Sequence, residues 1–108
     1  MIDRARVTAE ILGGKWVIPI VVVLASGTRR HGQLHQSLGR PISQKVLTET
    51  LRRMEGSGLV TRRVQDGLPP VVTYGLTDLG HSLLTPIGEL ADWALVHADR
   101  LPRQRNST

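Results

Sequence analysis

The feature that most constrains the fold is a pair of short helical patterns separated by a three-residue break. The first pattern, GQLHQSL at 32–38, places Leu34 and Leu38 on one face, as a partly buried helix requires. The break is GRP at 39–41, because glycine and proline both interrupt helices. Ser43 then has the residue type that caps a helix, and it begins the run SQKVLTETLRRMEGSG. Two helices joined by such a tight turn predict a helix-turn-helix.

Two β-branched runs follow this pair and predict a hairpin. LVTRRV (59–64) and VVTYGL (71–76) flank QDGLPP, whose Asp-Gly and Pro-Pro pairs are typical of a loop. GSG at 56–58 separates the hairpin from the helix before it. We therefore predict a mainly α fold with one small β-hairpin (α+β), which is the winged helix-turn-helix.

Further helices are expected before this unit. RARVTAEIL at 4–12 is a short helical pattern, which two glycines end. Residues 15–26 are β-branched and could form a buried strand, but Pro19 would interrupt a central strand. In a helix capped by Gly14 or Lys15, Pro19 takes about the fourth position, where the N–H that proline lacks would have no intrahelical acceptor. We therefore predict a buried helix there.

A last helix follows the hairpin. Thr77 is its predicted cap, and Pro86 is expected to kink it or divide it in two. Its apolar positions recur at helical spacing. They are Leu79, Leu83, Ile87, Leu90 and Ala94, with Trp93 beside them.

Length and composition limit the domain organisation. The 108 residues suit one domain, which we place at 1–100, followed by a disordered basic tail at 101–108. Aromatic residues make up 3% of the chain, so Val, Ile and Leu must build the core. There is no cysteine, which excludes disulfides, thiolate metal sites and thiol nucleophiles. No apolar run is long enough to span a membrane, so we expect a soluble, cytoplasmic protein with no membrane partner.

The basic excess lies in the middle of the chain. The net charge is +5, and residues 28–66 account for all of it with eight basic and three acidic residues. Residues 1–27 contribute +1 and residues 67–108 contribute −1. This concentration favours a surface that binds a polyanion. On charge alone, a solvated basic face fits equally well.

The second helix of the pair carries polar residues opposite an apolar stripe. Leu47, Leu51 and Met54 recur at i, i+4 and i+7 and form that stripe. The opposite face, with the N-terminal turn beside it, gives the predicted DNA-binding set. Its members are Ser43, Gln44, Lys45, Thr48 and Arg52.

Each of these side chains has a predicted role at a duplex. Gln44 suits adenine, Lys45 suits guanine, and Thr48 can touch a thymine methyl. Arg52 lies further along the helix and is expected to bind phosphate. Glu49 also points outward; it either accepts from cytosine N4 or repels wrong sequences at the groove edge.

Two pairs of arginines are predicted to add contacts outside this helix, the wing pair to a minor groove or the backbone and the other pair to a phosphate. Arg62 and Arg63 lie beside the hairpin loop, and only one of them should reach DNA because adjacent strand residues face opposite ways. Arg29 and Arg30 precede the short helix, where guanidinium and N–H groups suit a phosphate. For each arginine alone, ordinary solvation is an equal alternative.

Several linked stretches resemble the HxlR family of bacterial winged-helix regulators. They are GGKW at 13–16, ISQKVLTETLRRME with GLVTRR after it, PPVVTYGLTDLG at 69–80, and the tryptophan of the last helix. The resemblance covers about residues 4–97. It implies a homodimer that binds a near-palindromic operator and dimerises through its N- and C-terminal helices. We therefore predict a sequence-specific transcriptional regulator of the repressor type.

The chain departs from the family pattern at two points. Family members often have a cysteine just ahead of the first helix, where Asp3 lies here, so thiol sensing is excluded. The arginine-phenylalanine pair that usually precedes the helix-turn-helix is Arg30-His31 in this sequence. A polar ring therefore occupies a position where an apolar ring usually packs.

Two further groups of residues were considered as ligand sites. His31 and His35 have a spacing that can hold a metal, but no third ligand lies nearby, so we predict no metal and no cofactor. Trp16 and Trp93 can line an effector pocket between the first and last helices, or can form core or dimer interface. Ile20 and Leu90 belong to the same predicted region.

Other functions have less support. No triad or acid pair is present at a useful spacing, so we predict no enzyme activity. The alternative is a winged helix that binds RNA or protein without operator specificity. The scarcity of aromatic residues argues against single-stranded RNA, and a protein-interaction module does not require concentrated positive charge.

Overall fold

The computed structural model describes residues 2–38 and 42–102, which contain six helices and three strands. In chain order these are α1 (Ile2–Leu12), α2 (Val17–Leu24), β1 (Arg29–Arg30), α3 (His31–Ser37), α4 (Gln44–Gly56), β2 (Val60–Gln65), β3 (Val71–Leu76), α5 (Asp78–Ser82) and α6 (Leu84–Val96). The predicted break at 39–41 and residues 103–108 of the predicted tail lie outside the described residues. The winged helix-turn-helix architecture is confirmed.

The strands form one antiparallel sheet in the order β1-β3-β2. β2 and β3 are the predicted hairpin, with Val60 opposite Leu76 and Arg62 opposite Tyr74. Strand β1 was not predicted, and its Arg29 pairs with Tyr74 from the other side. Two residues are too few to show the period-two pattern of a strand, so no local pattern predicts β1.

One hydrophobic core joins the helices to the sheet. The stripes predicted for α3 and α4 face it, and so does most of α2. The core is largely aliphatic, as the composition requires, and Tyr74 reaches it from β3. Its largest fully buried side chains are Ile20, Val21, Leu24, Leu34, Leu47, Leu51 and Met54.

Helix α2 confirms the choice of helix over strand but is shorter than predicted. It spans Val17–Leu24 rather than 15–26, and Trp16 occupies the N-cap position in place of the glycine or lysine expected there. Pro19 is its third residue. The first turn of a helix has no internal acceptor for its N–H groups, so proline costs no hydrogen bond at this position.

The last helix is divided, as one of the two predictions for Pro86 required. α5 ends at Ser82, and α6 begins two residues later. Proline has no N–H to donate to the carbonyl four residues earlier, and its ring crowds that carbonyl, which here belongs to Ser82. The division therefore falls at Leu83 rather than at the proline itself. Thr77 caps α5 as predicted, because its Oγ1 accepts the N–H of Gly80 at 2.9 Å.

The apolar stripe predicted for this helix is buried only in part. Leu83 and Ile87 pack against the core, whereas Leu79 and Leu90 are 57% and 54% exposed. None of the residues of α6 is fully buried. Much of the apolar face of α6 therefore has no cover within the protomer.

Candidate nucleic-acid interface

Helix α4 is anchored along one face and exposed along the other. Ser43 caps it as predicted, because its Oγ accepts the N–H of Val46 at 3.0 Å. Leu47, Leu51 and Met54 are at most 2% exposed. The helix is therefore seated on the core, and its opposite face remains available to a partner.

The exposed face of α4 carries most of the predicted base-reading set. Gln44 and Lys45 are exposed in the first turn, and Arg52 is exposed two turns later, with Glu49 between them. Among the side chains that the structure describes, the one ion pair lies in α1. No described carboxylate is therefore paired with Lys45 or Arg52, which leaves their charges available to an anionic partner.

Thr48 is placed differently from the prediction. At about 100° per residue it lies on the flank of the apolar stripe rather than opposite it. It is half-buried, and its hydroxyl donates to the carbonyl of Gln44 at 2.9 Å. Its Oγ1 also lies 3.0 Å from Nε2 of His31 in α3. A wheel considers one helix alone and cannot include a contact with its neighbour. Thr48 is therefore less exposed than Lys45 and Arg52, and its contact with a thymine methyl stays a prediction.

Two histidines of α3 contact the beginning of α4. His31 reaches Thr48, and Nε2 of His35 donates to the carbonyl of Ile42, which directly precedes the cap residue Ser43. The rings of His31 and Tyr74 lie 6.4 Å apart, inclined by 60°. Burial, and to a smaller extent the nearby His35, lowers the pKa of His31 below its ordinary value of 6.5. The polar ring is thus accommodated through a hydrogen-bond partner on the neighbouring helix.

The wing arginines Arg62 and Arg63 are both exposed. Arg62 is paired with Tyr74, a buried residue whose ring neighbours His31 of α3. Paired residues share one face of a sheet, so Arg62 lies on the side of the helices. Arg63 is paired with Thr73 on the opposite face. Arg62 is therefore the wing arginine better placed to act with α4.

The arginines of β1 have separate surroundings. The guanidinium of Arg29 donates to the carbonyl of Thr28 at 2.9 Å and to the hydroxyl of Ser26 at 3.0 Å. These bonds link β1 to the turn after α2. Because the guanidinium of Arg29 is already bonded, Arg29 is a weaker phosphate ligand than predicted. Arg30 is exposed, and its backbone N–H donates to Oε1 of Gln33 at 3.0 Å.

Arg53 is a basic residue of α4 that was not predicted as part of this region. Its guanidinium lies against the loop between α1 and α2, where a Cβ on Gly14 would come within 2.8 Å of its Nη2. The absence of a side chain at Gly14 allows this approach. On a helical wheel Arg53 lies beside the outer face of α4, and this position is the sequence feature that could have indicated its contact.

The residues predicted for an effector pocket or dimer interface fall into two environments. Ile20 is completely buried in the core of the protomer, so its assignment to a pocket or interface is corrected. Trp16 packs against that core and is partly buried. Leu90 and Trp93 lie on α6 and are 54% and 52% exposed.

A groove of about 610 Å³ lies between the end of α2 and the outer face of the sheet. None of the four residues predicted for an effector pocket lines it. Its polar lining includes Ser26, Thr61, Arg63, Thr73 and His81.

Residues 2–38 and 42–102 contain neither a metal-ligand cluster nor a membrane-spanning helix. No three potential metal ligands converge in these ranges. None of the helices described there combines the length and the apolar character needed to cross a bilayer.

The geometry defines a class of protein. A seated helix with an exposed polar and basic face, beside a hairpin that carries a further arginine on the same side, is the arrangement by which winged helix-turn-helix proteins contact a duplex. Comparison with known proteins agrees with this class. Residues 11–102 match the HxlR-like helix-turn-helix family, and the chain belongs to that family.

Relatives with known sequences support the same class. The HTH-type transcriptional regulator YkvN of Bacillus subtilis (strain 168) is 39% identical over 95 residues, which cover 88% of this chain and 80% of YkvN. An HTH-type transcriptional regulator of Methanothermobacter thermautotrophicus is 34% identical over 102 residues, which cover 94% of this chain and 75% of that protein.

Solved structures extend the likeness to three dimensions. The HTH-type transcriptional regulator ytcD superposes with a TM-score of 0.82 at 35% identity, covering 88% of this chain and 96% of that one. The reduced form of the regulator YodB from B. subtilis gives a TM-score of 0.77 at 32% identity, covering 87% and 91%. The family and these relatives are transcriptional regulators rather than enzymes. At this level the prediction of a DNA-binding transcriptional regulator is confirmed.

Proposed function

We propose that the protein is a repressor that binds a near-palindromic operator in double-stranded DNA as a homodimer. The observation that carries the proposal is the outer face of α4, where Gln44, Lys45 and Arg52 are exposed while the opposite face is buried. A recognition helix presents its N-terminal residues to base edges in the major groove. Gln44 and Lys45 occupy that end, and Arg52 lies far enough along the helix to reach a phosphate.

Contacts outside α4 would fix the position of this helix on the duplex. Arg62 is exposed on the helix side of the wing, and Arg30 is exposed at the start of α3. Both suit phosphate oxygens, which determine register without reading sequence. Arg63 lies on the opposite face of the sheet and Arg29 is bonded locally, so we assign them smaller contributions.

The homodimer is supported by apolar surface that α1 and α6 leave uncovered. Residues 3–9 of α1 are all exposed, and Val7 is 52% exposed. On α6, Trp93, Leu95 and Val96 are 52%, 77% and 78% exposed. Apolar surface of this kind marks an interaction site. A second copy bound there by two-fold symmetry would place two copies of α4 about 34 Å apart, one duplex turn.

Repression, cellular location and effector control complete the proposal. A dimer that occupies a promoter excludes polymerase by its presence alone, so repression needs no further activity. The protein would act in the cytoplasm, together with the DNA that it regulates. A small molecule that binds the sheet-side groove or the surface around Trp93 would modulate operator binding. A thermal-shift screen in which nothing stabilises the protein, with operator binding unaffected by the same compounds, would remove the effector from the proposal.

A mobility-shift assay with duplex DNA from the region upstream of the gene tests operator binding. We expect a complex at physiological salt that a scrambled duplex of equal length and composition does not displace. Duplex RNA of the same sequence is the matched competitor. Equal binding of specific and scrambled DNA would refute the operator, and stronger binding of RNA would favour the alternative class.

A further inference from the structure

We propose that His31 is a positioning residue for base readout. It holds Thr48 so that the methyl group, not the hydroxyl, is offered to DNA, and it thereby makes the thymine methyl the group read at this position. The inference rests on the proposed function, because it assigns a role within the same interface.

The hydrogen bonds around Thr48 determine which atom donates. The single hydroxyl proton of Thr48 is donated to the carbonyl of Gln44 at 2.9 Å. At the other contact, Oγ1 of Thr48 can then only accept, so Nε2 of His31, 3.0 Å away, must carry the hydrogen. The network therefore assigns His31 a protonated Nε2.

These two bonds restrict what Thr48 can do at a base edge. With Oγ1 held from two directions, rotation about χ1 breaks at least one bond, so the direction of the methyl is fixed as well. The hydroxyl proton is already used within α4, so donating it to a base would leave the Gln44 carbonyl without this bond. The methyl takes part in neither of these bonds, and a thymine methyl is a partner that it can contact in the major groove.

The surroundings of His31 keep its ring in place. Its ring neighbours that of Tyr74 at 6.4 Å, on the sheet side. One turn later on α3, His35 donates to the carbonyl of Ile42 and so holds the residue before the α4 cap. α3 thus holds α4 at two points, and of these two side chains His31 is the one that reaches a residue within the readout helix.

Replacing thymine by uracil in the operator tests the proposal, because it removes only the C5-methyl group. Each thymine of one half-site is replaced in turn, and dissociation constants are measured by fluorescence anisotropy. The wild type should lose about fourfold in affinity at one position, the value of one buried methyl group. Thr48→Ser keeps the hydroxyl and removes the methyl, so replacing the same thymine by uracil should lower its operator affinity by less than twofold.

Three variants of His31 then separate positioning from folding. His31→Gln places an N–H donor where Nε2 lies, so its affinity should still fall about fourfold when the thymine is replaced by uracil. His31→Asn carries the same amide one methylene shorter and cannot reach Thr48, so the loss should fall below twofold. His31→Phe keeps a ring without the donor and should behave like His31→Asn. Asp78→Asn, on the exposed surface of α5, is the control.

The possible results are distinguishable. If the wild type binds its operator specifically but no thymine is methyl-sensitive, the proposed function stands and this inference is wrong. Equal uracil sensitivity in His31→Gln and His31→Asn, with equal melting temperatures, also overturns it. If the wild type shows no specific operator, both proposals fail together. Should the Phe variant not fold, the matched Gln and Asn variants decide.

Discussion

Lys45 and Arg52 show whether the outer face of α4 separates into base-reading and phosphate-binding parts. Lys45 lies in the first turn, so Lys45→Ala should reduce discrimination at one base pair by about tenfold or more. Arg52 lies two turns later, so Arg52→Ala should weaken all duplexes together. It should also reduce the slope of log K against log salt by about 1. Anisotropy titrations at several salt concentrations measure both effects.

The comparison needs a variant that loses the same charge elsewhere. Arg100 is exposed beyond the end of α6 and outside the proposed interface, so Arg100→Ala serves as that control. It should change neither base preference nor salt slope appreciably. If Lys45→Ala and Arg52→Ala cannot be told apart by these two measurements, the division of roles along α4 is wrong.

The pKa of His31 predicts a dependence of stability on pH. The unfolded chain takes up this proton near pH 6.5, whereas burial and His35 lower the pKa in the folded protein. Between the two pKa values the unfolded state binds more protons, so the free energy of unfolding falls as the pH drops below 6.5. The fall stops once His31 is protonated in both states. Urea unfolding from pH 7.5 to 5.0 measures it.

His31→Gln removes the titrating ring and keeps a donor, so its stability should decline less steeply over this interval. A decline of equal slope in His31→Gln would show that His31 is not the group responsible.

At the scale of elements, α5 contacts the residue that precedes β2 at Gly80. A Cβ at Gly80 would overlap the carbonyl oxygen of Leu59 and lie 3.0 Å from Cδ2 of Leu76. The same carbonyl accepts the N–H of Thr77 at 3.1 Å, so it cannot move aside without breaking that bond. Gly80→Ala should therefore lower the free energy of unfolding by about 3 kcal/mol, as overpacking does in a tight contact. Urea titration at neutral pH provides the measurement.

Gly88 offers the matched substitution within a helix. A Cβ there meets nothing within 4 Å, and the residue is exposed in α6. Gly88→Ala should therefore raise the free energy of unfolding by roughly 0.5–1 kcal/mol, because alanine favours the helix. Similar effects of the two substitutions would mean that helix propensity, not close packing, governs Gly80.

Elements were predictable where a local pattern determines them. The caps Ser43 and Thr77 and the stripes of α3 and α4 depend on residues within one turn, and the structure confirms them. Features that depend on a neighbouring element were not predictable. Strand β1 forms because it pairs with an edge of β3, and Thr48 is half-buried where it contacts His31 of α3. The exposed residues of α4 were predicted, but their anchoring partner on α3 was not.

At the scale of the whole molecule, the apolar surface of the protomer is unevenly distributed. Single apolar side chains are exposed on other elements, such as Val64 on β2, whereas α6 exposes several together, among them Leu90, Trp93, Leu95 and Val96. This distribution is expected if the terminal helices are completed by another copy of the chain. Recognition at two half-sites would then depend on the same surface that excludes water from α6.

Trp93 provides the test of this assembly. It is 52% exposed and contacts His97, with ring centroids 4.9 Å apart on the same helix. Trp93→Ala should raise the dimer dissociation constant at least about tenfold, because tryptophan dominates interfaces in which it becomes buried. The unfolding free energy of the dilute monomer should change less, since half of the side chain has no cover there. Sedimentation velocity at several concentrations measures the first quantity and urea titration the second.

The control is another exposed apolar residue away from the terminal helices. Leu68, in the hairpin loop, is fully exposed, so Leu68→Ala should leave dimerisation unchanged. Operator affinity should follow dimerisation: Trp93→Ala should bind a single half-site as the wild type does but bind the full operator more weakly. An unchanged dimer constant in Trp93→Ala would place the interface elsewhere, and loss of half-site binding would show that the substitution disturbs the protomer itself.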